Sequence, residues 1–428
     1  MKKYTFLILS NQPFDFELKT NKWHIADKLA KRGHNVLFVD PPLRFKALKN
    51  FLKKPSLHFS ALFCRTEKRE KNMVVYKPAN FFNFFPFSVI NTFLHAGRIR
   101  RILLTLNISS EVSKRDSSVI IWVYHFDFPD LGNFLKRVPH NLLIYDVVDE
   151  YTAFPEYSRR KKINAGLVSI IQWLDDELKI LINQKGFSGV KWVLYREKWL
   201  AENSDLMFAS APGLVDKFKK WRKDVHYLPN AADVDKFDIN KKSVKEPVDL
   251  ADIPHPRIGF TGAIDTYKIN MKLIEECATK YPDSHFIMIG PEKVADPESN
   301  LAKLKLMNNV HFLGLKPWEE TPAYFAYLDA YFIPSNLNDY TLKGHFPVKY
   351  FEALAAGLPT IVVDLPAYKG FDVDGYVSKT GGEFIENLDR ALKEDSSERR
   401  KKRKETAEKN SWDGKVAKQL KLIDGFFA

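Results

Sequence analysis

Cysteine is scarce in this chain of 428 residues: Cys64 and Cys277 lie far apart, in neither a disulfide nor a zinc spacing. That excludes a disulfide framework and fits a reducing compartment in which both thiols are buried or inert. Long apolar runs are missing too, and nothing approaches the roughly 18 apolar residues of a membrane-spanning helix. The opening MKKYTFLILSNQPFDFE has an apolar core of only TFLIL and no small-residue cleavage site. It therefore reads as a first strand and not as a secretory signal. Glycine is absent from the loop NQPFDFELKTNK behind that strand. No G-x-G-x-x-G follows the first strand of either half, which argues against a dinucleotide-binding oxidoreductase.

What the chain does have is size, apolar content and an uneven charge. At 45% hydrophobic residues it is a globular composition, and the length predicts two domains. Of the net +13, residues 1–240 carry +14 and the remainder −1. Residues 41–101 hold 13 Lys and Arg against Glu67 and Glu70, together with the aromatic block FFNFFPF at 81–87. Such a stretch is either a solvated face beside core, a nucleic-acid surface or a patch for anionic lipid headgroups. The aromatics form one block and do not alternate with the basic residues, which favours lipid over nucleic acid.

Strand and helix patterns alternate from the start. YTFLILS is an apolar strand, KWHIADKLAKR has helical spacing up to Gly33, and NVLFVD is a second strand, together a βαβ unit. Further strands are expected at 119–124, 141–149, 205–210 and 225–230, with a helical stretch over about 160–203. Residues 236–256 are polar with three prolines and read as the linker. A second alternation follows through RIGFTG, HFIMIG, NVHFLG, AYFIPS and TIVV. SERRKKRKETAEKNS reads as a charged, solvated helix or hinge, and the amphipathic tail from 411 to 428 as a helix that packs back on the body. Two doubly wound α/β domains in tandem place two carboxyl-edge crevices face to face, one for each of two substrates.

Within this frame, GHFPVKYFEALAAGLPTIVV at 344–363 reads as loop, short helix, tight stop and buried strand. Lys349 and Glu352 share one face of that helix. The blocks KWHIADKLAKRGHNVLFVDPP, YDVVDEYTAFP, NSDLMFASAPGLVDKF with LPNAADVDKF, RIGFTGAIDTYKINMKLIEECATKYPDSHFIMIGP, VHFLGLKPWEETPAYFAYLDAYFIP and PVKYFEALAAGLPTIVV occur in this order. In them the chain resembles GT-B glycosyltransferases of retaining family 4, particularly bacterial members of teichuronic-acid and exopolysaccharide type.

The resemblance implies two facing Rossmann-like domains, an N-terminal acceptor-binding domain over 1–240 and a nucleotide-sugar domain over 250–410. The C-terminal helix would return to the first. It implies a hexosyltransferase that takes sugar from a nucleoside-diphosphate sugar, such as a UDP-sugar, to a lipid-linked glycan for cell-surface or cell-wall polysaccharide. No cofactor beyond that co-substrate, no metal and no nucleic acid are expected. The location implied is cytoplasmic, peripheral on the inner membrane face. By motif position, Glu352 accepts the ribose hydroxyls, or else only partners Lys349. Pro347 opens the helix toward the diphosphate. Lys268 offsets charge on the leaving group, and Lys349 contacts the diphosphate or is a solvated lysine. Gly262 admits backbone close to the ligand, and Asn338 and Thr341 are candidates for donor contacts.

In the first half, His125, Asp127, Asp149 and Glu150 sit at carboxyl edges. There they would touch the donor sugar or orient and deprotonate an acceptor hydroxyl, with structural histidine and helix capping as the plainer readings. Two departures stand out: Gly344 where many members carry a first glutamate, and Ala231 where glycine is common. A sugar-nucleotide epimerase of the same shape and a non-catalytic sugar-nucleotide-binding partner are the competing readings.

Overall fold

A computed structural model describes residues 2–42, 64–78, 87–108, 118–126, 130–154, 189–238, 244–294, 301–371 and 376–428. Asp127, most of the FFNFFPF block, and residues 155–188 of the expected long helical stretch lie outside them.

Among the described residues the first sheet contains β1 (Tyr4–Leu9), β2 (Asn35–Val39), β3 (Arg65–Glu70), β4 (Met73–Lys77), β5 (Ser118–Val123), β6 (Leu142–Val147), β7 (Leu206–Ala209) and β8 (His226–Tyr227). Their order is β3-β4-β2-β1-β5-β6-β7-β8, and only β3 and β4 pair antiparallel. β1 runs parallel between β2 and β5, so the winding switches direction there and opens a crevice beyond its carboxyl end. Apolar side chains cover both faces of this sheet, which is why β1, β2 and β6 are buried at every position and read as continuous apolar runs.

The second sheet repeats the plan with β9 (Arg257–Thr261), β11 (His285–Ile289), β13 (Val310–Gly314), β14 (Ala330–Ile333), β15 (Thr360–Val363) and β16 (Val377–Ser378). A separate two-residue ladder joins β10 (Ile264–Asp265) to β12 (Glu292–Lys293). The order β13-β11-β9-β14-β15-β16 is parallel throughout and switches at β9. The chain is thus an α/β protein of two doubly wound domains.

Three segments differ from their sequence patterns. SNLNDYTLKGH, expected as a loop, holds the helix Asp339–Gly344, started by a capping box in which Asn338 and Thr341 bond each other's backbone N–H. The charged segment forms Ser397–Lys409 and is not simply solvated. Its Arg403 is fully buried, and Nε donates to the Gly357 carbonyl at 2.9 Å, where the helix Val348–Ala355 stops. The expected linker also packs: Phe237, Leu250 and Ile253 are buried in the core of the second domain.

Helix α1 (Asn21–Lys31) and the C-terminal helix Trp412–Phe426 lie together on the first sheet. Trp412, Val416, Leu420 and Ile423 face one way at helical spacing and enter the first domain's core. Tyr4 Oη donates to Asp424, and Lys415 Nζ donates to the Leu228 carbonyl, so this last helix is fastened to the first domain.

Candidate functional site

The carboxyl ends of the two sheets face each other, and polar bonds tie them across the cleft. Tyr267 Oη donates to the Ala153 carbonyl at 2.8 Å, and Asn230 Nδ2 donates to that of Phe346 at 2.7 Å. Backbones meet there too, at Gly213 against Lys343 and at Gly344 against Glu150. A Cβ on Gly344 would lie 2.4 Å from both the Cβ and the backbone nitrogen of Glu150. The position where the resembled family carries its first glutamate is filled here by the backbone of the opposite domain.

In the second half the helix Val348–Ala355 begins just after Pro347, which is its N-cap and not its first helical residue. The cap position supplies no side-chain acceptor, and the first turn carries no acid. Its positive end is therefore left for an anion. Lys349 and Glu352 follow within that turn and the next. They form no ion pair with each other, because Lys349 Nζ instead lies 3.7 Å over the Phe260 ring. Burial pulls Lys349 down to about 7 and pushes Glu352 up to about 7, each charge opposing the other's shift.

Gly262 ends β9 with φ +108°, and a Cβ there would come within 2.7 Å of Lys349 Nζ. Glycine both permits that backbone and leaves the ammonium its place.

Tyr340 joins the halves. Its single hydroxyl proton goes to Asp149 Oδ1 at 2.7 Å, so the other two contacts must donate to its oxygen. Those are Lys268 Nζ at 3.1 Å and His345 Nδ1 at 3.0 Å. Burial and the cations of Lys268 and Lys349 keep His345 neutral, its pKa well below the ordinary histidine range. The Lys268 ammonium also lies 4.4 Å from the Tyr340 ring centre.

The other sequence candidates are placed as follows. Asn338 and Thr341 are engaged in capping the short helix, and Asn338 Nδ2 also donates to the Tyr267 carbonyl at 2.8 Å. His125, at the end of β5, is buried between the rings of Phe126 and Tyr151. Asp149 faces the cleft through Tyr340. Glu150 points elsewhere: it accepts from the Thr152 amide and from Lys217 Nζ at 2.6 Å, and the same ammonium reaches Glu197 at 2.7 Å. Sequence patterns gave no reason to single out Tyr340, His345 or Asn230. Lys22 alone carried a signal, a lysine in the first helical turn behind the first strand of a βαβ unit. Among the described residues no group of three His, Cys, Asp or Glu side chains could hold a metal ion. No described helix is long and apolar enough to cross a membrane.

Known proteins share both the second domain and the frame. Residues 250–410 match the family model of glycosyl transferases group 1. A Bacillus subtilis protein, TuaH, named for a glycosyltransferase role in teichuronic acid biosynthesis, is 30% identical over 151 residues. That alignment covers 35% of this chain and 37% of the relative. Among solved structures, a sucrose-phosphate synthase from Thermosynechococcus elongatus superposes with a TM-score of 0.65 at 13% identity, over 100% of this chain and 99% of the other. Anabaena Alr3699/HepE, solved in complex with UDP and glucose, superposes at 0.59 with 15% identity, over 99% and 100%. The chain thus has the GT-B fold of two facing Rossmann-like domains, and its residues 250–410 match glycosyl transferases group 1.

Proposed function

We propose that the protein is a glycosyltransferase that moves a sugar from a nucleoside-diphosphate sugar to a glycan acceptor in polysaccharide biosynthesis. The observation that carries the reading is the cluster at the second switch point. An uncapped helix end, Lys349, Lys268, Gly262 and Glu352 converge there within the matched domain. In this reading the diphosphate lies against the helix N-terminus and the two ammoniums, which meet the negative charge that grows on the leaving group. Pro347 fixes the entry to that helix, and Gly262 lets backbone approach the ligand. Glu352 accepts both ribose hydroxyls, and the ligand's arrival relieves a lysine and a carboxylate that burial otherwise disfavours. Asn338 and Thr341 fix the loop that carries Tyr340 beside the donor.

His125 and Asp149 line the acceptor side, and retention follows from same-face attack with the leaving phosphate taking the acceptor proton. The lipid-linked acceptor, the UDP base and attachment to the inner membrane face belong to the same proposal. The relative's name supports the role in polysaccharide biosynthesis, and the UDP complex of a protein of like fold supports the base.

A thermal-shift panel of UDP-, GDP-, ADP- and dTDP-sugars tests the reading, since a bound donor raises stability by mass action. One nucleotide series is expected to raise Tm in wild type and not in Glu352→Ala. Slow donor hydrolysis is expected to continue in EDTA. A flat panel, or equal shifts in the variant, would overturn the donor site.

A further inference from the structure

The first switch point holds a lysine that the donor reading leaves unexplained. Lys22, in the first turn of α1, is only 3% exposed. Its ammonium has one polar neighbour among the described residues, Gln12 Oε1 at 3.4 Å, and the Tyr124 ring centre at 5.9 Å. Asp149 and Asp146 act on it only from beyond ion-pair distance, with Lys268 opposing them. Both carboxylates are engaged elsewhere, Asp149 by Tyr340 and Asp146 by Trp122 Nε1 at 3.2 Å. A buried cation without a close counter-ion is an expensive arrangement unless an anion completes it.

The surroundings fit an anion on a sugar. Lys22 lines a cleft with Ser10, Gln12, Phe14, Lys19 and Trp23, formed by the glycine-free loop that follows β1. α1 opens onto the same place, and its cap Thr20 does not cap: the hydroxyl donates to Gln12 Oε1 at 2.8 Å instead. No acid lies in the first turn, so helix dipole and ammonium act in the same sense. Phe14 and Trp23 form its apolar wall, and Lys19 stands beside Trp23, so the cleft admits the acidic group itself while the sugar ring stays at its mouth.

We propose that this cleft binds an acidic group on the acceptor sugar, a carboxylate or a phosphate, with the Lys22 ammonium as its counter-ion. The proposal rests on the two-substrate reading above, and it adds the chemical class of the acceptor: an anionic glycan. Lys22 is then a specificity residue, since a neutral sugar would leave the ammonium unpaired in a desolvated site.

The test is thermal shift on UDP-saturated and UDP-free protein, with glucose 6-phosphate, glucuronate and glucose as probes. In wild type both acids are expected to stabilise the UDP-saturated protein and glucose is not. Lys22→Met is expected to weaken the acids about tenfold or more, while UDP still shifts it. Lys22→Arg is expected to retain acid binding, which guards against a variant that merely fails to fold. Glucose matching the acids, no shift from either acid, or Lys22→Met responding like wild type would each overturn the proposal. So would loss of UDP binding in Lys22→Met with acid binding intact, which would assign the lysine to the donor diphosphate. Acid binding without any UDP shift in wild type would instead sink the donor reading and leave the anion site standing.

Discussion

The two halves of the molecule repeat one plan and furnish it differently. Each has a parallel sheet that switches direction at its first strand, with ligand chemistry gathered beyond that strand's carboxyl end. In the second half the gathering comes from two short stretches. Gly262 and Lys268 follow one strand, and Pro347, Lys349 and Glu352 open one helix, so that much of the holding falls to backbone. In the first half the corresponding crevice is built from side chains that the sequence scatters: Lys22 from α1, Asp149 behind β6 and His125 behind β5. A site that relies on backbone geometry restricts which residues can stand at it, and so leaves a motif. One that relies on side chains can be refitted with little trace. The difference explains why the matched family domain covers residues 250–410 and not the first half.

The sharpest way to break this comparison is a pair of substitutions read by calorimetry with UDP. Glu352→Ala is expected to lower UDP affinity about 100-fold or more, since two hydrogen bonds to a charged acceptor are lost. Lys22→Met is expected to leave UDP affinity within about twofold, as a site on the other substrate's side. Equal losses would mean that the halves do not divide the ligands.

Closure of the cleft comes next. Gly344→Glu restores the carboxylate many relatives carry, yet its Cβ would meet the Glu150 backbone. A cost of about 1–3 kcal/mol is expected in chemical denaturation, with Gly344→Ala changing stability in the same direction. A more stable Gly344→Glu protein would show that the domains do not meet there.

Tyr340→Phe removes the hydroxyl that Asp149, Lys268 and His345 share. We expect kcat to fall roughly tenfold, the equivalent of about 1.4 kcal/mol, with UDP affinity little changed. A large rise in the UDP Kd with kcat intact would place the tyrosine on the donor alone.

The smallest effect concerns the aromatic seam where the domains meet. His24 stacks on Trp412 at 4.7 Å and touches Trp318 of the other half, and burial holds it neutral down to about 3. The unfolded chain takes up this proton near pH 6.5 and the folded chain does not. Stability from this group is therefore present above that pH and is lost as pH falls toward 3. Between pH 6 and 5 the loss is at most about 1.4 kcal/mol, and His24→Phe is expected to flatten it. Denaturant midpoints at the two pH values decide the point. An unchanged slope in His24→Phe would show that the seam does not respond to this histidine.

Much of the frame was legible before any coordinates. Apolar runs such as YTFLIL and TIVV can only be strands covered on both faces, and their alternation with helical periods leaves a doubly wound sheet. In the second half, the left-handed backbone at Gly262 and the helix that carries Lys349 and Glu352 were legible because glycine and helix-stop signals are local. Other features were not. SNLNDYTLKGH reads as a loop because its capping box lies among turn-forming residues, and the charged pattern of Ser397–Lys409 hides Arg403, which is buried against the Gly357 carbonyl and Asp395. Glu150 was a candidate for acceptor chemistry, and the structure shows it bonded to Lys217, a partner 67 residues away.

By itself, then, the sequence determined two α/β domains with parallel sheets and the short helix that follows Pro347. These depend on periodicity and on residues with special backbone needs, and both are local properties. Only the tertiary structure decided that Gly344 meets Glu150 across the cleft, that Tyr340 joins Asp149 to Lys268, and that Lys22 is buried without a close counter-ion among the described residues. Those facts concern which charges share one desolvated space. Electrostatic cost there is set by distance and burial between residues far apart in the chain, which no local pattern records.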